Sequence, residues 1–101
     1  MTYRNDALLR HANGKRCVKC GKKDETVVAA HYTGARRHAY GGGLGIKVHD
    51  FLVAHLCGAC HLEMDQLSRD KERRWEHSEE FLHYIVLTLD RCFDDGTIVG
   101  P

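Results

Sequence analysis

The sequence predicts a small α+β domain that is stapled by a bound metal ion. Three features carry this prediction: the chain has only 101 residues, four of its five cysteines form two C-x-x-C pairs, and short β-rich segments precede sequence with helical spacing. A chain of this length normally forms one domain, and 29% charged residues leave little apolar material for its core. We therefore expect one domain over 1–101, with its core in 15–68 and a C-terminal helical region in 70–94.

The first half of the chain is expected to supply two short strands. Thr26–His31 is rich in β-branched and apolar residues and is short enough for a strand that ends in a histidine. His49–Leu56 has a similar composition and leads directly into Cys57. Between them, residues 33–47 are first basic and then rich in glycine, which predicts a loop without a regular element. Residues 2–12 could add a short N-terminal helix.

The second half is expected to be helical. One helix would begin near Cys60 and run to Leu67, and residues 71–94 would form another, interrupted where Ser78 could cap a new segment. Within this region, apolar residues recur at helical spacing as a packing stripe: Phe81, Ile85, Leu89 and Phe93, flanked by Leu82 and Val86. Residues 97–99 could add a terminal strand. The long helix would either cover the strands or pair with a second copy, so a homodimer is one of two expected arrangements.

The cysteines indicate the metal. Cys17, Cys20, Cys57 and Cys60 offer four sulfur ligands, and soft sulfur in a tetrahedral arrangement favours Zn²⁺. Four sulfurs leave zinc no open position, so the ion would be structural rather than catalytic. The fifth cysteine, Cys92, argues against a closed set of disulfides and is expected to be a core residue beside the helical stripe.

Composition also suggests a compartment and a class of partner. The N-terminal segment carries no apolar signal region, and no stretch reaches the roughly 18 apolar residues that cross a membrane. We therefore expect a cytoplasmic protein, because paired cysteines there bind metal more often than each other. Residues 1–47 hold ten Lys/Arg and three Asp/Glu, whereas 48–101 hold five and eleven. The basic half is compatible with a polyanionic partner such as nucleic acid.

Two alternative motifs fit the chain less well. Cys57-Gly-Ala-Cys60-His61 is a C-x-x-C-H sequence, which attaches c-type haem, but that chemistry needs export and leaves the first cysteine pair unexplained. A haem-based electron-transfer protein would show a Soret band, whereas zinc-bound protein is colourless. The glycine run 41–45 lacks both G-x-G-x-x-G spacing and a following Lys-Ser/Thr, so a nucleotide-binding loop is not expected.

The motifs follow one another in an order that has a known parallel. A C-x-x-C pair precedes a strand ending in Ala30-His31, and a loop and a second strand lead to Leu56-Cys-Gly-Ala-Cys-His61, which opens a helix. This order resembles the HNH endonucleases, also called ββα-metal or His-Me finger nucleases. More narrowly, Ala30-His-Tyr-Thr-Gly34 and Cys57-Gly-Ala-Cys-His-Leu-Glu-Met-Asp65 resemble the small lambdoid-prophage nucleases called YbcO-like proteins.

The resemblance implies a zinc-stapled ββα-metal (HNH-like) domain with an additional C-terminal helix, and roles for two histidines. In that family, the histidine at the strand end is the general base that activates water, and the histidine of the helix binds a divalent ion. By resemblance, His31 would take the first role and His61 would hold Mg²⁺ or Mn²⁺. Asp65 lies one helical turn after His61, so both side chains could reach the same catalytic ion.

The chain departs from the family at two positions. Ala30 stands where the family has its acidic first metal ligand, so one ligand must be water or come from elsewhere. The middle Asn that orients the base has no counterpart; Asp50 is the nearest candidate for a third catalytic residue, and His49 could substitute for either role. Arg36 and Arg37 lie in the loop between the strands and could contact phosphates, although an ordinary solvated loop fits them equally well.

Together these features predict a metal-dependent endonuclease, a hydrolase that cuts DNA phosphodiester bonds and, by resemblance, comes from a phage or prophage. DNA is the expected partner, without membrane association, and RNA stays open as a competing substrate. The main alternative is a non-catalytic, zinc-dependent nucleic-acid-binding module, in which Ala30 marks a missing active site.

Overall fold

The computed structural model of the protein describes residues 2–99, and residues 1, 100 and 101 of the predicted domain lie outside this part. Over the described residues it is a small α+β fold with three α-helices, one two-stranded sheet and a short 3₁₀ helix, as the predicted α+β class requires. In chain order the elements are α1 (Asp6–Arg10), β1 (Val28–His31), the 3₁₀ helix (Arg37–Tyr40), β2 (Val53–Leu56), α2 (Gly58–Leu67) and α3 (Arg74–Asp94).

The two strands pair antiparallel, so that the end of β1 lies beside the beginning of β2. His31, the last residue of β1, pairs with Val53, the first residue of β2. All four residues of β2 are buried, because helix α3 packs against the strand. The backbone N–H of His55 donates a hydrogen bond to Oγ1 of Thr88 at 3.1 Å, which fastens β2 to α3.

Both strands are shorter than the sequence predicts, because neighbouring residues bond elsewhere. The backbone N–H and hydroxyl of Thr26 both donate to the carboxylate of Asp24, which turns the chain before β1. Before β2, the backbone N–H of Asp50 donates to the carbonyl oxygen of Tyr3. A distant N-terminal segment thus takes up backbone groups that a longer strand would have used.

Helix α2 follows β2 directly and turns one face inward. The side chain of Cys57, the residue before the helix, does not cap it; instead the backbone N–H of Gly58 donates to the side-chain Oγ1 of Thr26 at 2.9 Å. Cys60 and Met64 lie one turn apart and are buried, because residues at i and i+4 share a helix face. His61, in the first turn, lies off this buried face and is partly exposed.

Helix α3 is continuous, and the predicted interruption at Ser78 was wrong. Ser78 lies inside the helix, where it is buried. Its hydroxyl forms a hydrogen bond with the hydroxyl of Tyr32. The serine is therefore satisfied by a side chain from the chain segment after β1 and has no capping role.

The buried face of α3 follows most of the predicted stripe and departs from it at Val86 and Phe93. Phe81 and Ile85 are buried, and Leu82 and Leu89 pack against the core while partly buried, as predicted. Thr88 and Cys92 are buried as well, whereas more than half of Val86 and about half of Phe93 are exposed. Residues four apart advance about 40° beyond a full turn at each step, so a strict interval of four rotates away from the core. The buried face keeps the 3.6-residue period of the helix instead.

Two further local predictions were wrong. Residues 97–99 form no strand in the described part of the chain: the chain turns after α3, where the carboxylate of Asp95 accepts the backbone N–H of Thr97 at 2.9 Å. The loop between the strands is not wholly irregular, because Arg37–Tyr40 forms the 3₁₀ helix just before the glycines.

The core lies between the sheet, α2 and α3. Its largest fully buried side chains include Tyr32, Leu56, Met64, Phe81 and Ile85. The rings of Tyr32 and Phe81 meet edge to face, with centroids 5.6 Å apart. Across residues 2–99, none of the helices combines the length and the apolar character needed to span a membrane.

Gly34, in the loop after β1, packs closely against the ring of Tyr32, so a larger residue there would test how tightly this loop is packed. A Cβ atom on Gly34 would overlap the Tyr32 ring, which is buried and whose hydroxyl accepts the backbone N–H of Arg36 at 3.0 Å. We expect Gly34→Ala to lower the free energy of unfolding by about 1–3 kcal/mol, the usual cost of overpacking. Denaturant unfolding of metal-loaded protein measures the loss. Gly43→Ala is the control, because a Cβ there meets nothing within 4 Å; equal losses would contradict the interpretation.

Candidate functional site

Four cysteine thiols form one cluster. The Sγ atoms of Cys17, Cys20, Cys57 and Cys60 all lie within 4.8 Å of one another, and those of Cys20 and Cys57 are 3.7 Å apart. Zinc–sulfur bonds of about 2.3 Å in a tetrahedron put the sulfurs about 3.8 Å apart, so the cluster has the dimensions of a four-thiolate metal site. A disulfide would need about 2.05 Å, and all five cysteines are free. The four cysteines could hold a metal ion such as zinc.

The surroundings of the cluster favour the charged form of one thiol and disfavour that of another. Burial raises the pKa of the Cys17 thiol, but hydrogen bonds from the backbone of Cys20, Cys57 and Lys19 outweigh burial and lower the pKa to about 7. Burial, followed by hydrogen bonds with the neighbouring thiols, raises the pKa of Cys60. Four thiolates this close repel one another, so a dication among them would stabilise all four.

The loop of the first cysteine pair is fastened to both helices that follow the sheet. The ammonium group of Lys19 forms an ion pair with Glu63 of α2 and lies 3.9 Å from a carboxylate oxygen of Glu80 in α3. The backbone N–H of Val18 donates to the carbonyl oxygen of His55 in β2 at 2.9 Å. These contacts bring together two cysteine pairs that lie far apart in the sequence.

A cavity of about 520 Å³ is lined by both His31 and His61. His31 ends β1, and His61 lies in the first turn of α2, directly after the last clustered cysteine. The antiparallel pairing of the strands and the direct β2–α2 connection bring the two imidazoles to the same cavity. The remaining walls come from β1 and from the loop that follows it.

Asp50 lies buried beside His31 and accepts hydrogen bonds from three residues. Its Oδ1 lies 2.8 Å from Nε2 of His31 and 3.0 Å from a guanidinium nitrogen of Arg4, and its Oδ2 accepts the backbone N–H of Asn5 at 2.6 Å. Burial raises the pKa of the Asp50 carboxyl, but the hydrogen bonds from these three residues outweigh burial and lower the pKa below its usual value. Asp50 is therefore a carboxylate, and Nε2 of His31 carries the proton that faces it.

His61 and Asp65 lie one turn apart on α2. Nε2 of His61 is 3.7 Å from Oδ2 of Asp65, and the two side chains are 38% and 46% exposed. The two groups are near enough to bind one divalent ion together. Within residues 2–99, however, no third Asp, Glu, His or Cys side chain completes a cluster with them, and Asp65 does not line the cavity of His31.

The structure separates the two arginines that the sequence offers as phosphate contacts. Arg37 lines the cavity of the two histidines, whereas the guanidinium of Arg36 lies 5.4 Å from the ring centroid of Trp75. Trp75 is more than half exposed, and the guanidinium of Arg74 also lies over its ring, 5.5 Å from the centroid. Only Arg37 is therefore placed next to the candidate site.

His49 lies away from the cavity and serves the N-terminal segment. Its Nδ1 accepts the backbone N–H of Tyr3 at 2.9 Å, and its ring stacks on Phe51 with centroids 5.2 Å apart. His49 and Asp50 are adjacent in the sequence, but the His49 side chain bonds to Tyr3 and not to His31. Of the two adjacent residues, only Asp50 reaches His31.

Nothing in the sequence marks Arg4 and Asn5 as partners of Asp50. Arg4 also donates to the carbonyl oxygens of Lys47 and Val48, at 2.8 and 2.6 Å, so the N-terminal segment is bonded along the chain that leads to Asp50. The one local signal is that the Asn5 side chain caps α1. A cap indicates where a helix begins but carries no information on what the residue docks against.

Comparisons of this chain with protein-family models, curated proteins and solved structures find no match.

Proposed function

We propose that the protein is a metal-dependent endonuclease of the HNH type that hydrolyses DNA phosphodiester bonds. The observation that carries the proposal is the shared cavity, which is lined by His61 and by His31 with its buried Asp50 partner. Hydrolysis of a phosphodiester needs a base to activate water and a cation to offset charge on the departing oxygen. The choice of DNA rests on the resemblance of the motifs and on the basic loop after β1.

His31 is the proposed general base. Its Nε2–H donates to Asp50, which leaves Nδ1 as the nitrogen with a free lone pair. No group among residues 2–99 forms a hydrogen bond with this Nδ1, so it is available to take a proton from water beside the phosphate. Asp50 acts as a positioning residue, because it keeps the proton on Nε2 and holds the orientation of the ring.

Two metal sites belong to the proposal. The four cysteines would hold a structural zinc ion and so tie the first cysteine pair to the start of α2, where His61 lies. His61 and Asp65 would hold Mg²⁺ or Mn²⁺, with water and the substrate phosphate as further ligands, since Mg²⁺ usually keeps several waters. When bound, this ion would stabilise negative charge on the phosphate and the leaving oxygen.

A non-catalytic nucleic-acid-binding module is the second candidate, and one observation favours it. Among the described residues, only the cysteines form a cluster of three or more metal-ligating side chains. His61 and Asp65 supply two ligands, and Ala30 supplies none. A chain that keeps the zinc site without catalysis would therefore look similar to this one.

A plasmid-nicking assay separates the two candidates. Zinc-loaded protein with supercoiled plasmid is expected to yield nicked and linear DNA when Mg²⁺ or Mn²⁺ is added, and neither product when the ion is omitted. Omission is the control in place of a chelator, which would also strip the cysteines. DNA that is retarded in a gel but never cut with either ion would refute the nuclease and support the binding module.

Asp50→Asn tests the positioning role. The amide presents either an N–H or an oxygen to Nε2, so the proton of His31 is no longer held on that nitrogen; we expect kcat to fall about 10²-fold or more while the affinity for DNA is unchanged. Arg4→Gln is the matched control, because it removes another partner of the same carboxylate and leaves the imidazole contact in place. Equal losses of kcat in both variants would mean that Asp50 acts only on the fold.

A further inference from the structure

A second, smaller cavity of about 180 Å³ lies beside the first and is lined by cations from three segments. Arg37 comes from the 3₁₀ helix, Lys71 from the turn between α2 and α3, and Arg74 from the start of α3. Thr33 and Arg37 line both cavities, so the two spaces adjoin. The smaller one is called the basic cavity below.

The positive charge of the basic cavity is not neutralised. Among residues 2–99, no carboxylate lies within 4.0 Å of a charged nitrogen of Arg37, Lys71 or Arg74, and no acidic side chain lines the cavity. The adjacent Arg73, in contrast, is paired with Glu76 at 2.8 Å and does not line the cavity. Three uncompensated cations around a small space attract an anion.

The N-terminus of α3 adds backbone donors. The helix has 21 residues, begins at Arg74 and has no capping side chain. In the part of the chain that the structure describes, the backbone N–H groups of residues 74–76 have no acceptor. Free N–H groups at a helix N-terminus, together with the helix dipole, favour an anion at that end.

His77 gives an independent indication of a ligand. It is 2% exposed and lines the basic cavity, yet its Nε2 has no hydrogen-bond partner among the described residues. Buried polar atoms nearly always have a partner, so this nitrogen points to a group that is absent from the chain itself. Burial lowers the pKa of the His77 imidazole, and its hydrogen bond with the backbone of Met64 offsets this only in part. An anion beside Nε2 would raise the pKa and so favour the protonated imidazole, which donates from both nitrogens.

We propose that the basic cavity is a phosphate subsite, which takes a DNA backbone phosphate next to the one that is cut. The inference rests on the proposed function, because it takes DNA to be the substrate of the adjoining cavity. Phosphate is the fitting chemistry, since guanidinium groups, backbone N–H groups and an imidazolium all donate to its several oxygens. Free phosphate offers the same chemistry, and the experiment below separates the two sources.

Salt-dependent DNA binding tests the subsite. Anisotropy of a labelled duplex, measured without Mg²⁺ or Mn²⁺ so that nothing is cut, gives the slope of log affinity against log salt. We expect Lys71→Gln and Arg74→Gln each to reduce the steepness of this slope by about 1, as the loss of one phosphate contact does. Arg73→Gln is the matched control, because its guanidinium is paired with Glu76, and should leave the slope unchanged.

Nitrogen-15 signals of His77 identify the source of the phosphate. A short duplex at micromolar concentration is expected to move the Nε2 signal toward that of a protonated, hydrogen-bonded imidazole. Inorganic phosphate that moves the signal equally at the same concentration would mean a site for free phosphate and would overturn the assignment to DNA. A signal that neither probe moves would overturn the subsite.

The subsite and the nuclease can fail separately. If the Lys71 and Arg74 variants lose salt dependence while wild type cuts no plasmid, the proposed nuclease fails and the phosphate subsite stands as part of a binding module. If wild type cuts DNA while both variants keep the slope of the Arg73 control, the nuclease stands and the subsite is refuted.

Discussion

Replacing Cys57 with serine is expected to unfold the protein. Cys57 lies at the junction of β2 and α2 and is one of four thiols within 4.8 Å of one another. Structural zinc contributes about 10–16 kcal/mol of apparent binding energy in small zinc domains, whereas a domain of this size has only about 5–15 kcal/mol of net stability. Losing one thiolate ligand therefore removes an amount of free energy comparable to the whole stability of the fold.

Circular dichroism and the zinc content of the purified protein measure this effect. We expect Cys57→Ser to lose stoichiometric zinc and most of its helical signal, and removal of zinc from wild type by a chelator to do the same reversibly. Cys92→Ser is the matched control, because Cys92 is also buried but lies outside the cluster, and should keep both zinc and fold. A folded Cys57→Ser protein without zinc would show that the cluster does not hold the domain together.

Replacing His31 with alanine is expected to reduce the rate of plasmid nicking by about 10²–10⁴-fold, the usual contribution of general acid–base catalysis. Among the described residues that line this cavity, the other histidine is His61, which is the proposed ion ligand, and His49 is bonded to the N-terminal segment. The loss should appear in kcat, since the phosphate contacts remain.

An exposed histidine provides the control for this variant. His83 lies on α3, lines neither cavity and is exposed, so His83→Ala should nick DNA at the wild-type rate. Removal of the His31 ring also costs Asp50 a hydrogen-bond partner, so zinc content and unfolding are measured beside activity to exclude loss of fold. Nicking by folded His31→Ala at the wild-type rate would remove His31 from the mechanism.

The cysteine cluster and the ββα order could be predicted because their signals are local. C-x-x-C spacing allows two sulfurs to face one ion from a tight turn, and the short apolar segments around Ala30 and Ala54 favour strands, which pair with each other. Once the sheet forms, the position of His31 is set by the end of β1, and that of His61 by the helix that follows β2.

The partners of Asp50 and the members of the basic cavity could not be predicted in this way. Arg4 bonds to Asp50, which lies 46 positions later in the chain, and His77 of α3 lines the basic cavity together with Arg37 of the 3₁₀ helix. No spacing encodes such contacts, since they depend on how whole elements dock. The error in the stripe of α3 has the same origin, because packing against β2 selected Thr88 and kept the true helical period.

By itself, the sequence determined which residues can cluster as metal ligands, where the strands and helices lie approximately, and which histidines stand at their ends. These properties follow from backbone geometry over a few neighbouring residues. Only the tertiary structure decided that Asp50 and not His49 meets His31, that Arg37 and not Arg36 borders the cavity, and that His77 is buried beside three cations. The physical reason is that docking between elements is set by burial of their apolar faces, which brings polar groups together irrespective of their distance along the chain.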